Sequence, residues 1–169
     1  MAYAVRVSDT LAEHLDLPTV ALLAGDVAAD DVLRRLRADG HAGVRRSHGY
    51  VIQVLLERSP TIGELALDLG VSQQAASKAV GELEDLGYVE RRPCPDDRRV
   101  RRVGLTAGGH EVVEHARRRR RELEDAVRTR VGDDGVEQAR RALVALVALV
   151  DVVAVRGRIA GRRVVPPLE

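Results

Sequence analysis

The sequence has 169 residues, enough for one domain with its own core and too few to favour a second independent domain. A single cysteine excludes an internal disulfide and a cysteine-based structural zinc site, and the absence of Phe and Trp leaves aliphatic side chains to build the core. The net charge is only +1, but residues 87–121 carry eleven arginines against five acidic residues, whereas residues 1–40 carry four arginines against seven. One basic segment in a nearly neutral chain suits a local contact with a polyanion.

The first half of the chain has the periodicity of helices. Residues 30–38 (DDVLRRLRA) begin with two acids and are followed closely by Gly40, which predicts a short helix. Residues 47–58 (SHGYVIQVLLER) carry apolar side chains at helical spacing and end before Pro60, which predicts a second helix.

Two further helices follow, each with a residue suited to cap its start. Thr61 and Glu64 match a capping box, in which the Thr61 hydroxyl caps a helix over residues 62–69 while Glu64 reaches back. Ser72 is a good N-cap for the next helix, predicted over residues 73–86. The short connection between them predicts a helix-turn-helix.

From Tyr88 onward the pattern changes from helix to strand. Residues 88–92 and 99–105 are two short β-compatible runs on either side of a turn rich in Pro and Asp, which predicts a β-hairpin. The turn also holds the only cysteine of the chain, Cys94.

Helices also fill the C-terminal part. Thr106 is predicted to cap a long helix that runs to about Val131 and breaks at residues 132–135 (GDDG). A last helix, over residues 136–155, is apolar almost all round in its second half, so it must be buried on several sides. The basic and then Pro-rich tail, residues 156–169, is predicted to be loose.

No segment is predicted to enter a membrane. The most apolar stretch, residues 142–155, is 14 residues long and contains Asp151, whereas a membrane span needs about 20 apolar residues. The N-terminus lacks the basic and then apolar pattern of a secretion signal. The sequence therefore predicts a soluble, cytoplasmic protein.

Helix, turn, helix and hairpin, in that order, make a winged helix, whose geometry suits duplex DNA. An α-helix fits the major groove, where its N-terminal side chains reach base edges and glutamine pairs with adenine. The hairpin tip is narrow enough to enter a minor groove, whose negative potential attracts arginine. In the second helix of the pair, the apolar side chains share one face, and the other face carries Gln73, Gln74, Ser77 and Lys78.

One long run resembles the DNA-binding lobe of the MarR (multiple antibiotic resistance regulator) family: VSQQAASKAVGELEDLGYVERRPCPDDRRVRRVGLTAGG, residues 71–109. The matching features are the preceding GELA segment, Ser-Lys in the recognition helix, LEDLGYVER, Asp-x-Arg in the wing and Leu-Thr-x-x-Gly after it. They cover about residues 47–109.

The resemblance implies a mainly α fold in a single domain over residues 1–169. It divides the chain into a winged helix-turn-helix lobe over 47–107, dimerisation helices over 1–46 and 108–155, and a tail over 156–169. It also implies a homodimeric transcriptional regulator, a ligand-responsive repressor that binds a pseudo-palindromic operator with half-sites about one helical turn apart.

Carried over residue by residue, the resemblance implies a set of DNA-contacting side chains. Asp97 matches the wing acid that holds the guanidinium of Arg99 in the minor groove, and Arg98 is predicted to contact phosphate. The full set is Thr61, Ser72, Gln73, Gln74, Ser77, Lys78, Asp97, Arg98 and Arg99. The small-molecule pocket of the family lies near His48 and Tyr50, which are therefore candidate effector-binding residues. No cofactor is implied.

Two variants of this reading keep the same fold. His110 with Glu114, and Glu111 with His115, are i, i+4 pairs that can hold a metal, which would make the protein a metal-responsive regulator. Oxidation of Cys94 would make it a redox-responsive one, although the adjacent acids oppose a lowered pKa of that thiol. The two histidines are five apart, which is not the zinc-protease pattern, so the sequence predicts no metal site. Cys94 does not match the reactive cysteine of the family's peroxide sensors, which lies on the N-terminal helical side.

The rival from another class is a winged helix that serves only in protein–protein contact, without binding DNA. An enzyme is not predicted, because the sequence shows no nucleophile with a base, no Gly-rich phosphate loop and no paired catalytic carboxylates.

Overall fold

Helices dominate the computed structural model, which describes residues 14–94, 97 and 99–149. Within those residues the elements are α1 (Leu17–Ala38), α2 (Arg46–Glu57), α3 (Ile62–Leu69), α4 (Gln73–Asp85), β1 (Val89–Pro93), β2 (Arg101–Leu105) and α5 (Ala107–Leu149). The mainly α fold with a helix-turn-helix and a two-stranded wing is the one predicted, and that prediction is confirmed.

Helix α1 is longer than predicted, because it begins at Leu17 and not at Asp30. The Asp16 side chain caps the start, accepting the amide of Thr19 at 2.9 Å. Asp30 and Asp31, the two acids that suggest a helix start in the sequence, lie inside α1 and bind arginines of other helices. The predicted start was wrong because these acids serve tertiary ion pairs.

Helices α2, α3 and α4 lie within one residue of their predicted bounds. At the start of α3 the capping box is present in full. The Thr61 amide donates to Glu64 Oε2 at 2.7 Å, and the Glu64 amide donates to Thr61 Oγ1 at 3.3 Å. The Ser72 hydroxyl caps α4 by accepting the amide of Ala75 at 3.2 Å. Gly70 ends α3 with φ 65°, a conformation that favours glycine.

The wing is an antiparallel pair in which Val89 faces Leu105 and Pro93 faces Arg101. The second strand begins two residues later than predicted, because the main chain at Val100 belongs to the turn and donates to the Asp97 carbonyl at 3.0 Å. A further backbone bond, from the Val103 amide to the Pro60 carbonyl at 2.8 Å, fastens β2 to the segment before α3. The wing is thus hydrogen-bonded to the helix-turn-helix.

The core lies where α2, α3, α4, the second half of α1 and the base of the wing meet the first half of α5. Its largest fully buried apolar side chains include Val51, Leu65, Val80, Leu83, Val103 and Val112. The predicted core face of α4 is confirmed, since its buried residues are Ala76, Val80 and Leu83. Burial of this face fixes which side of α4 points to solvent.

Helix α5 begins after Thr106, whose Oγ1 accepts the Gly109 amide at 3.0 Å, as the predicted cap requires. It breaks at Gly132, where φ is 74°. Glu124 and Arg140, 16 residues apart, form an ion pair of 3.0 Å across the break. Sixteen residues of straight helix span about 24 Å, so residues 133–149 turn back along residues 107–131.

The break predicted over residues 132–135 is confined to Gly132. Residues 150–155 of the predicted last helix and the predicted tail lie outside the described residues. Among those that the structure describes, no helix is both long and apolar enough to cross a membrane.

Candidate nucleic-acid interface

The outward face of α4 is polar and accessible at the end where the helix begins. Ser72, Gln73, Gln74 and Lys78 are exposed and Ser77 is half-buried. With the hydroxyl of Ser72 capping the helix, the remaining first-turn amides and the positive end of the helix dipole point to solvent, where an anion is stabilised. This end of α4 has the chemistry of a phosphate and base-edge contact.

The two glutamines are placed differently. The Gln73 amide group lies against the start of α3, so close that a Cβ added at Gly63 would stand 3.4 Å from Gln73 Nε2. Because Gly63 has no side chain, the Gln73 side chain has room at the start of α3. This contact limits the conformational freedom of the Gln73 side chain. Gln74 is exposed one residue further along the helix.

Thr61 differs from the rest of the predicted set because its hydroxyl is already used inside the protein, in the capping box of α3. The backbone hydrogen bond from Thr61 is the main reason why the pKa of Glu64 is lowered, and the charges of Arg102 and Arg58 add to it. A contact of Thr61 with DNA stays a prediction.

At the wing tip, Asp97 and Arg99 are both exposed. Asp97 Oδ1 accepts the backbone amide of Arg99 at 2.9 Å. The prediction was a charge-assisted bond to the Arg99 guanidinium, whereas the contact seen is with the main chain. An aspartate that binds the amide two residues on stabilises a tight turn, so this acid shapes the tip that presents Arg99. Arg98 lies outside the described residues.

Arg102 joins the wing to the helix-turn-helix, a role that the sequence did not indicate. Its guanidinium donates to the Ser59 carbonyl at 2.9 Å and lies 3.4 Å from Glu64 Oε2. Arg58 approaches the same Glu64 oxygen at 3.7 Å. The carboxylate that caps α3 therefore also orients β2.

The two predicted effector residues lie beside a cavity and not in its wall. His48 is 1% exposed, and its Nε2 lies 3.1 Å from Glu82 Oε2 on α4. Tyr50 is half-buried against the core. A cavity of about 340 Å³ does open between α1, α2 and α5, but the part of its wall that α2 contributes is Arg46, Gly49, Ile52, Gln53 and Leu56. The turn of α2 directs the His48 side chain towards α4.

The cavity is apolar, with arginines at its edge. Its aliphatic lining includes Val32, Leu36, Val112 and Val113. Its charged lining consists of the arginines Arg45, Arg46, Arg117 and Arg120. Arg46 is paired with Asp26 and Asp30, and Arg117 with Glu114. Burial, and then repulsion from Arg117, lowers the pKa of Arg120. An anion bound nearby would oppose both effects, because it attracts the charged guanidinium.

The histidines and acids proposed as a metal site do not come together. In the part of the chain that the structure describes, no three His, Cys, Asp or Glu residues are arranged to hold a metal ion. His115 Nδ1 lies 3.3 Å from His41 Nε2, and His41 Nδ1 lies 2.9 Å from the Tyr88 hydroxyl. This chain of side chains links α5 to the base of the wing.

Cys94 is buried, with 8% of its surface exposed. Its amide donates to the Val100 carbonyl at 2.9 Å, which extends the strand pairing into the turn. Burial limits the access that thiol oxidation needs.

A helix-turn-helix followed at once by a two-stranded wing defines the class of winged-helix proteins. A family model described as the MarR family matches residues 42–100. This match confirms, over that region, the resemblance to the MarR family of transcriptional regulators seen in the sequence.

Individual relatives share the same region. An uncharacterised HTH-type transcriptional regulator of Mycobacterium leprae is 36% identical over 66 residues, 39% of this chain and 46% of that protein. The transcriptional repressor MprA of Escherichia coli strain K12 is 42% identical over 50 residues, 30% of this chain and 28% of that protein. The chain thus spans about half, or less, of the length of the curated relatives that it matches.

The likeness in structure extends further along the chain. A crystal structure of the S. aureus MepR–DNA complex aligns with a TM-score of 0.61 and 19% identity, over 78% of this chain and 96% of that one. At this identity the likeness establishes the fold, including the helices that flank the winged helix.

Proposed function

We propose that this chain is a transcriptional repressor that binds operator DNA as a homodimer in the cytoplasm and is released by a small apolar anion. The observation that carries DNA binding is the placement of α4. Its buried face, Ala76, Val80 and Leu83, leaves the capped, polar N-terminal end of the helix exposed, next in sequence to a wing with an exposed arginine at its tip.

In this proposal α4 is the recognition helix and lies in the major groove. Gln74 reads base edges, and Gln73 does so from its position against α3. The DNA phosphates are contacted by Ser77, Lys78, Arg98 and the N-terminal amides of α4, which Ser72 caps. Thr61 contacts the DNA backbone from the start of α3. Arg99 enters the minor groove, and Asp97 holds the turn that presents it.

Relatives support this assignment. The MepR structure with a similar fold was solved as a complex with DNA, and MprA is described as a transcriptional repressor. The exposed residues of the recognition helix lie within the 42–100 region that matches the family model.

The proposal of a homodimer rests on apolar side chains that are exposed in one chain. They lie on α1 and on α5 either side of its break: Leu17, Leu22, Val27, Val127, Val131, Leu143, Val144, Val147 and Leu149. Apolar surface of this extent marks a protein interface. A symmetric pair of recognition helices then calls for a pseudo-palindromic operator.

The effector proposal rests on the cavity between α1, α2 and α5. Its aliphatic wall suits an apolar body, and the guanidinium of Arg120, which forms no ion pair with any acid that the structure describes, suits a carboxylate or another anion. In this proposal the effector binds in this cavity and does not contact His48 or Tyr50. An effector bound there would act by favouring a spacing of the recognition helices that does not match successive major grooves.

Replacing Arg99 with alanine tests the wing contact. We expect operator binding to weaken by about 1–3 kcal/mol, because a guanidinium is lost from the minor groove. Fluorescence anisotropy with an operator selected from random DNA measures the change. Arg121→Ala removes the same charge from the exposed surface of α5 and is expected to bind normally. Equal affinity of Arg99→Ala and the native chain would contradict the wing contact.

Replacing Gln74 with alanine tests base readout. The expected result is a loss of about 1–3 kcal/mol at one or two base pairs of each half-site, with little change elsewhere, since the amide pairs with a particular base edge. Repeating the selection from random DNA with the variant measures the altered preference. Gln138→Ala, on exposed α5, is the matched control. An unchanged selected sequence would remove Gln74 from the readout.

The rival function, a winged helix that binds only protein, predicts a different salt dependence. Each phosphate contact releases counterions, so DNA affinity should fall steeply as salt rises. The same anisotropy titration at several salt concentrations separates the two functions. Affinity that is absent, or indifferent to salt, would favour the protein-binding module.

A further inference from the structure

Glu82 on α4 is held by two residues from the start of α2. One of its oxygens, Oε2, accepts from the Arg45 guanidinium at 2.8 Å and lies 3.1 Å from His48 Nε2. These three residues are called the Glu82 cluster below. It ties the recognition helix to α2 at the end of α4 opposite the proposed DNA contacts.

The hydrogen bonds indicate which ring nitrogen of His48 accepts and which donates. Its Nδ1 accepts the backbone amide of Arg45 at 3.3 Å, so the proton sits on Nε2 and is donated to Glu82. His48 is 1% exposed and is the only buried polar or charged side chain in the described residues. A buried donor held this way is a fixed support for Glu82.

Arg45 is the movable member of the cluster. Its side chain is 66% exposed, and an ion pair this open to water contributes little stability. Arg45 is also one of the residues that line the cavity between α1, α2 and α5. A group in the cavity that attracts Arg45 therefore competes directly with Glu82. The hydrogen bond from His48, followed by the charge of Arg45, lowers the pKa of Glu82, so the carboxylate is charged and responds to loss of its partner.

We infer that the Glu82 cluster reports the contents of the cavity to the recognition helix, with an anion in the cavity drawing Arg45 away from Glu82. Arg45 and Glu82 are thus positioning residues for α4. The bond from His48 stays in place, so α4 loosens about its His48 contact and keeps its fold. This inference rests on the proposed function only in its consequence for DNA; the link between cavity and α4 exists in the free protein.

An anion can be placed in the cavity without knowing the natural ligand. Ala29, on the cavity wall and half-buried, is changed to Cys in a Cys94→Ser background. The thiol is then labelled with 2-carboxyethyl methanethiosulfonate or, as the neutral match of similar size, propyl methanethiosulfonate. The two proteins differ only in a carboxylate inside the cavity.

Hydrogen exchange of the α4 amides, residues 73–85, is the first measurement and needs no DNA. The carboxyethyl label is expected to speed exchange by about two- to fivefold relative to the propyl label, the worth of an exposed ion pair. Operator affinity, measured second, should fall by a similar factor. In a Glu82→Gln background, which keeps an acceptor for His48 but removes the charge, the difference between labels should vanish. Glu84→Gln, which loses a pair with Arg91 instead, should preserve it.

The outcomes separate the two proposals. Equal effects of both labels, or a difference that survives in Glu82→Gln, would overturn the inference. Suppose that hydrogen exchange depends on the charge of the label, that Glu82→Gln abolishes this dependence, and that no form of the protein binds DNA. This result would support the role of the Glu82 cluster and contradict the proposed function.

Discussion

Gly109→Ala is expected to destabilise the folded protein by about 3 kcal/mol, at the upper end of the cost of overpacking. Gly109 is buried in the first turn of α5, where the helix crosses the base of the wing. A Cβ added there would overlap the carbonyl oxygen of Tyr88 and stand 3.1 Å from Leu105 Cδ2. The obstacle is backbone, and that carbonyl is itself held by the Thr106 amide at 3.1 Å, so it cannot move without losing a hydrogen bond.

Urea unfolding at one fixed protein concentration measures the effect, since the stability of a dimer depends on concentration. Gly108→Ala is the neighbouring control: its Cβ would lie 3.4 Å from the Gly87 carbonyl oxygen, an ordinary contact. We expect this control to be neutral or slightly stabilising, because alanine favours helix. If the two variants unfold at the same urea concentration, α5 and the base of the wing are not packed closely enough at Gly109 to exclude a methyl group.

The second large effect concerns the proposed homodimer. Changing Val144 and Val147 together to Asp is expected to raise the dissociation constant of the dimer by about two to three orders of magnitude. In one chain these valines are 62% and 58% exposed. Contact of aliphatic side chains with water is unfavourable, and in the proposed dimer a second copy covers them. Each copy would bring two carboxylates without partners into that interface, and burying them would cost about 3–5 kcal/mol.

Sedimentation equilibrium over a range of concentrations measures the dissociation constant. Gln138→Asp places a new carboxylate on an exposed polar position of the same helix segment and should leave the dimer intact. If the double variant dimerises as tightly as the native chain, the interface does not include this face of α5. Loss of the dimer should also abolish high-affinity operator binding, because one half-site offers half of the contacts.

The helix-turn-helix was predictable almost residue by residue because its signals are local. Thr61 with Glu64, and Ser72, mark helix starts through bonds to amides three residues away, and Gly70 ends α3 in a conformation that favours glycine. Such bonds form wherever the segment sits in the fold. The Gly132 break was predictable for the same reason.

The start of α1 was predicted wrongly because two of its acids form ion pairs with distant residues and do not mark the start of a helix. An acid pair such as Asp30 and Asp31 looks like a helix start when only neighbours in sequence are considered. In the structure Asp31 binds Arg119, 88 residues away, at 2.6 Å. No local pattern indicates that partner.

By itself, the sequence determined the order of elements, the caps, the exposed face of α4 and the resemblance to the MarR family, since each depends on residues within a few turns of one another. Only the tertiary structure decided what holds these parts in place. His48 and Arg45 meet Glu82 across 34 and 37 residues, and Arg102 meets Glu64 across 38. Hydrogen bonds and ion pairs act over a few ångströms in space, whatever the separation along the chain. The packing of α2, α4 and the wing therefore had to exist before these residues could be recognised as supports of the proposed DNA-binding surface.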